Sequence, residues 1–297
     1  MLALVCSTQG QSIANAALVS LDDFETSTHA TADRKIAGSV GIPFYLANSG
    51  EAAATAKIEF DSELNSNALV VRPPTANTSS PIVGLLPGVG YLSQNGDSLL
   101  LSFRFRFLNP SATSGNANNF RFGVYYGNRN STPVDGQSEL SANVAGYLVQ
   151  FGDSAQSAGS LMQKETGKLP PILGGSTDRS AISTPPTVGL PAITDTKFHT
   201  VEFSLTRLTL STIGLSLKVD DQTPITAVEN FVLYSQLNQI AFSNGFVSNS
   251  MQFAIDDVRV DAGNFIFNPV PEPSWISACF VIGMLALVKY RICVPCY

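Results

Sequence analysis

From Leu101 the chain alternates without a break: Leu101, Phe103, Phe105 and Phe107 are separated by Ser102, Arg104 and Arg106. Successive side chains of a strand turn to opposite faces, so this is a half-buried strand with phenylalanine inward and arginine outward. The same period returns at Phe120, Phe122, Val124 and Tyr126, with Arg121 and Gly123 on the other face, and at Tyr147, Val149 and Phe151. Val201, Phe203 and Leu205 begin a further strand, and Ile213, Leu215, Leu217 and Val219 its hairpin partner across Ser211-Thr212. Met251, Phe253 and Ile255 open the last. Loops rich in Gly, Ser, Asn and Pro lie between, as at 109–119 and 168–191. Only Ala227 to Gln239 hints at a short helix. Regular strands without alternating helices predict an all-β sandwich, not a parallel α/β fold.

The body carries little reactive chemistry. Cysteine occurs only at 6, 279, 293 and 296, so Ser7 to Ala278 can hold neither a disulfide framework nor a thiolate metal site. Cys293-x-x-Cys296 has redox spacing but no strand–helix context. Charged residues make up 13% of the chain at a net charge of −6, with no basic stripe, which argues against nucleic acid as a partner.

The C-terminal segment is of another kind. Val270-Pro271-Glu272-Pro273-Ser274 precedes an uncharged apolar run, Trp275 to Val288, and then Lys289-Tyr290-Arg291. A spanning helix needs about 20 apolar residues, so the run is short. Extending it from Ser274 to Tyr290 gives a marginal span with Trp275 and Tyr290 at the interfaces and a snorkelling lysine. Basic residues after the run place that end in the cytoplasm and residues 1–270 outside. The alternative is a buried C-terminal helix of the globular body, which would call for an amphipathic pattern that this run lacks.

Pro271, Glu272 and Pro273, the short apolar span and Arg291 in the basic stop resemble the PEP-CTERM sorting tail of exported bacterial proteins. The resemblance implies recognition and processing by a membrane-embedded exosortase, with Pro271, Glu272, Pro273 and Arg291 as the sorting residues. The basic cluster is sparser than in that family, and Ile292 to Tyr297 trails beyond it. At the other end, Met1 to Cys6 is a fragment of an apolar stretch and Ala14-Asn15-Ala16 fits an A-x-A cleavage site. This reads as the remnant of a signal peptide, the alternative being an ordinary N-terminus. The expected organisation is a signal remnant at 1–16, a β-sandwich at 17–265, a linker at 266–273, and a transmembrane helix with a basic stub at 274–297.

The last strand changes face partway. Its apolar parity runs Met251, Phe253, Ile255 and then Val258, Val260, with the switch at Asp256-Asp257. Either a bulge sits there or Asp257 points to the core. Leu18 to Leu21 reads as a first strand ending in its own acidic group, Asp22-Asp23-Phe24-Glu25. First and last strands side by side would gather these carboxylates, the oxygen ligands of a Ca²⁺ site. Similar Phe-Glu and Ile-Asp-Asp-Val segments occur in carbohydrate-binding jelly rolls. That resemblance makes Glu25 and Asp256 candidates for a structural calcium site, against two solvated acidic turns with no metal. Lys197 to Leu205 followed by Leu215 to Asp221 is similar to a strand pair of laminin-G-like domains, which implies a concanavalin A-type jelly roll. Asp221 stands where that family often has glycine.

Catalysis finds no footing. His29 and His199 are the only histidines, and no G-x-S-x-G elbow accompanies either. Glu202 lacks the partner carboxylates that glycoside hydrolysis requires. Two non-enzymatic readings stand: a surface or matrix protein of structural or adhesive role within exopolysaccharide, and a glycan-binding module of lectin type. In the second, Tyr125, Tyr126 and Tyr147 supply the aromatic platform.

Overall fold

The computed structural model describes residues 17–25, 41–46, 55–72, 81–110, 119–127, 143–152, 155, 157–167, 173, 179–230, 233–244, 252–265 and 267–269. The expected signal remnant, Met251, His29 and the segment from Val270 onward lie outside them. Strands are numbered β1 to β16 along the chain, and every pairing described is antiparallel. Sheet A has the spatial order β13 (Ile225–Glu229), β12 (Thr212–Val219), β11 (His199–Thr209), β6 (Ser98–Phe107), β15 (Phe253–Gly263), β4 (Ser66–Arg72) and β3 (Thr55–Asp61), with β1 (Ala17–Asp22) also beside β15. Sheet B has the order β10 (Arg179–Ala181), β9 (Met162–Gly167), β8 (Val144–Gly152), β7 (Asn119–Tyr126), β14 (Gln236–Asn244), β5 (Ile82–Tyr91) and β16 (Asn268–Pro269), with β2 (Phe44–Leu46) also on β5. One helical turn, α1 (Ala158–Leu161), precedes β9. Among the described residues no helix is long and apolar enough to cross a membrane.

The two sheets face each other across a seam of phenylalanines. Phe103 of β6 meets Phe122 of β7 at 4.9 Å and Phe242 of β14 at 5.1 Å, both edge-on. Phe105 stacks on Phe120 at 5.2 Å, and Phe253 closes on the same ring at 5.0 Å. These are the inward residues of the alternating segments, so period-two patterning translates directly into an inter-sheet core.

The helix expected over Ala227 to Gln239 is absent. Residues 225–229 form edge strand β13 and 236–244 form β14. Ile225, Ala227 and Glu229 are buried while Thr226 and Val228 are not, which is strand parity and not a helical stripe.

β1 does lie beside β15, and a β-bulge sits at Asp256-Asp257. Three steps along β15, from Asp256 to Arg259, match two along β6, from Arg104 to Ser102. Asp257 takes φ 50°, a left-handed conformation that aspartate tolerates, and its side chain faces solvent beside Arg104 at 3.4 Å. The bulge also divides the outer edge of β15: Phe253–Ile255 pair with β4 and Val258–Ala262 with β1.

Candidate functional site

The end of the sandwich where β5 and β7 finish carries a pocket. Tyr126, Ala145, Leu233, Tyr234, Ser235 and Gln236 line a volume of about 170 Å³. Its walls are fixed from behind. The Tyr234 amide donates to the Tyr147 hydroxyl at 3.1 Å, and the two rings pack at 5.8 Å. The Leu92 amide donates to the Ser235 carbonyl at 2.8 Å. Asn238 grips Gly127 through both ends of its side-chain amide, at 2.9 and 2.7 Å. The lining offers two phenol rings, a hydroxyl and a carboxamide, and no charged side chain.

Of the three tyrosines expected to form a platform, only Tyr126 reaches solvent, at 36% exposure. Tyr125 and Tyr147 are fully buried. Tyr147 follows the inward parity of β8, while Tyr125 turns to the outer face of sheet B and is covered there. The second aromatic wall is Tyr234, which sits before β14 and belongs to no alternating run, so periodicity gave no sign of it.

That outer face is sealed by a buried ion network. The Tyr125 ring lies over Gly123 and Gly146, where a Cβ on Gly146 would run into the Val124 carbonyl. Its hydroxyl donates to Glu165 at 2.8 Å. Glu165 also accepts the Leu173 amide at 3.0 Å, while Arg121 and Arg179 donate to the Leu173 carbonyl at 2.8 and 3.2 Å. Both arginines share Gln150 as an acceptor. Burial pushes the Glu165 carboxyl up and brings Arg121 down to about 9, the latter with help from the Arg179 charge. The Leu173 peptide unit thus occupies the donors and acceptors of this face, and its side chain fills the apolar cluster of Tyr45, Val83, Leu85 and Leu148. Glu165 is a buried carboxylate of the kind catalysis uses, but its oxygens are committed inside the fold.

His199 is equally committed. Nδ1 lies 2.8 Å from Asp220 and Nε2 2.9 Å from Asp195, so neither nitrogen is open to take a proton from a third group. Its ring packs on Phe105 at 5.5 Å. Asp220 also accepts the Thr200 amide, which makes the set a lock on the start of β11. Glu202, the other carboxylate singled out by sequence, faces Lys218 at 3.6 Å on the outer face of sheet A.

The acidic junction at the bulge brings Glu25 and Asp256 into electrostatic contact. Asp256 is 2% exposed, and its Oδ1 is buried without a hydrogen-bond partner. Burial, the Asp257 charge and the Glu25 charge push its carboxyl up to about 7. Glu25 accepts the Asn67 amide at 3.1 Å, tying the end of β1 to β4. The orphaned oxygen and the oxygen-only donor chemistry suit a hard cation. Among the described residues no three acidic or histidine side chains converge, so the rest of a calcium shell would fall to main-chain carbonyls and water.

No family model matches the chain, and no curated protein does. Solved structures do resemble it. A carbohydrate esterase from the Shiga toxin-encoding bacteriophage phi24B is 12% identical over 84% of this chain and 100% of its own, with a TM-score of 0.46. A galectin-like protein of unknown function from Bacillus subtilis is 8% identical over 86% and 100%, at 0.43. Peanut lectin is 10% identical over 82% and 98%, at 0.42. Likeness this distant says nothing of activity, and the two-sheet architecture rests on the strand pairing above.

Proposed function

We propose that this chain is an exported cell-surface or matrix protein whose β-sandwich has a non-catalytic, adhesive role and holds saccharide in the pocket between Tyr126 and Tyr234. The observation that carries the adhesive reading is the pocket itself: aromatic faces beside a hydroxyl and a carboxamide, on a rigid frame. Phenol rings present an apolar face to the C–H surface of a sugar, and Ser235 and Gln236 offer hydrogen bonds to its hydroxyls. The filled outer face of sheet B speaks against a long substrate groove there.

Export and sorting rest on the sequence. Pro271, Glu272 and Pro273, the apolar run and Arg291 support recognition by an exosortase-type membrane enzyme, with membrane anchoring before processing. A structural calcium at Glu25 and Asp256 is part of the same proposal. Bound there, the ion would supply the positive charge that the buried Asp256 oxygen lacks, joining the end of β1 to the β15 bulge.

The test is a glycan array probed with the full-length protein, with and without calcium. Binding to polysaccharide is expected, and Tyr126→Ala or Tyr234→Ala should weaken it by about tenfold or more, since each removes an anchor of the pocket. Binding unaffected by either change would remove the pocket from the account. No binding to any glycan would return the sandwich to a purely structural role, and hydrolysis of a polysaccharide panel would overturn the non-catalytic reading.

A further inference from the structure

Arg207 is a cation on the inward side of β11. It keeps the parity of Val201, Phe203 and Leu205, which are buried between the sheets, and is itself partly buried. Its Nε is buried without a hydrogen-bond partner. Among the described residues its one hydrogen bond runs to the Leu210 carbonyl of its own hairpin, and no carboxylate pairs with it. A guanidinium is a planar fork of donors matched to a carboxylate, so this one is left short of its natural acceptor.

The acids around it are engaged elsewhere. Asp97, which precedes the Ser98 opposite Thr206, accepts the Ser93 and Gln94 amides at 2.8 and 2.7 Å. Glu229 stands in the same ladder row as Arg207, through Ile213, but its oxygens meet Lys164 at 3.1 Å and Ser183 at 2.6 Å.

The pocket lies at this same end of the sandwich. The turn from β5 to β6 begins where the Leu92 amide donates to the carbonyl of Ser235, a lining residue, at 2.8 Å. It ends where the Arg207 amide donates to the Asp97 carbonyl at 2.8 Å. Behind Tyr234, the Tyr147 hydroxyl that accepts the Tyr234 amide also feels the guanidinium: burial pushes this phenol up, and the Arg207 charge opposes the shift. Between two packed sheets such a charge is weakly screened.

We propose that the saccharide held between Tyr126 and Tyr234 is an acidic one, bearing a carboxylate, and that Arg207 sets this preference. The inference rests on the pocket reading above. A neutral sugar would use only the phenol faces and the hydrogen bonds of Ser235 and Gln236. A uronate in the same place would add the negative charge that Arg207 lacks. Arg207 stands outside the lining itself, so it acts through the charge it projects. Its removal should cost selectivity and spare the stacking contacts.

The test is titration of the full-length protein with polygalacturonate, alginate and hyaluronan, each beside its carboxyl-reduced, neutral form. The expected result is that at least one acidic polymer binds about tenfold more tightly than its neutral form. Arg207→Gln should bring the two affinities together at the neutral value, whereas Arg207→Lys, which keeps the charge, should keep most of the difference. Neutral forms that bind as well as the acidic ones overturn the inference and leave the pocket reading standing. A preference that survives in Arg207→Gln overturns the role of Arg207. Binding to no member of any pair removes the pocket reading and the inference with it.

Discussion

Phe103→Ala should lower the unfolding free energy by about 3–5 kcal/mol, the usual cost of emptying a buried phenylalanine site. Phe103 is 2% exposed and makes ring contacts with Phe105 on its own strand and with Phe120, Phe122 and Phe242 across the gap. Its loss opens a cavity at the middle of the inter-sheet seam, where neighbours anchored on two other strands cannot easily collapse into it. Against a typical total of about 5–15 kcal/mol, that is roughly a fifth of the stability or more. Phe60→Ala removes the same atoms from a residue 64% exposed and should cost no more than about 0.5 kcal/mol. Urea denaturation of the two variants makes the comparison. Equal losses would mean that the alternating phenylalanines do not hold the sheets together.

Asp256→Asn should change sign with calcium. In chelator, the wild-type carboxyl is held at about 7 by burial and by Asp257 and Glu25, well above the ordinary range of an aspartate. A raised folded-state value means the fold prefers the protonated form. Stability is then fully present below about pH 4, falls as pH rises toward about 7, and is flat above. The drop is on the order of 2–4 kcal/mol from that shift. Asparagine cannot ionise, so the variant should be more stable than wild type at pH 8 in chelator and should lack the decline. If Asp256 holds calcium, adding the ion raises the wild-type melting temperature, and the variant loses that rise. A melting temperature indifferent to calcium in both proteins sinks the metal and leaves a buried, proton-sensitive carboxyl.

The sheets were legible in the sequence because their inward residues are large and strictly alternate. Phe103, Phe105, Phe120 and Phe122 announce their faces, and so does the parity switch that becomes the bulge at Asp256-Asp257. Glu229 shows where this reading stops. A charged residue on the inward parity of β13 conceals the strand, and only the fold supplies its partners, Lys164 at 3.1 Å and Ser183 at 2.6 Å. The network at Glu165 was hidden for the same reason: Arg121 was correctly set on the outer face, but that face is covered by Leu173, 52 residues further along. Outward parity means solvent only when nothing crosses the sheet. The pocket was half legible. Tyr126 ends an alternating run, whereas Tyr234 takes its place through contacts with Tyr147, 87 residues away.

Export, as proposed, would give the other elements their setting: it would put the tyrosine pocket where glycans are and calcium at the concentrations a weak site needs. The most direct measurement is the mass of the mature protein recovered from cells. The account predicts a chain that begins near Ala17 and lacks the segment after about residue 270. A mass corresponding to all 297 residues would contradict it.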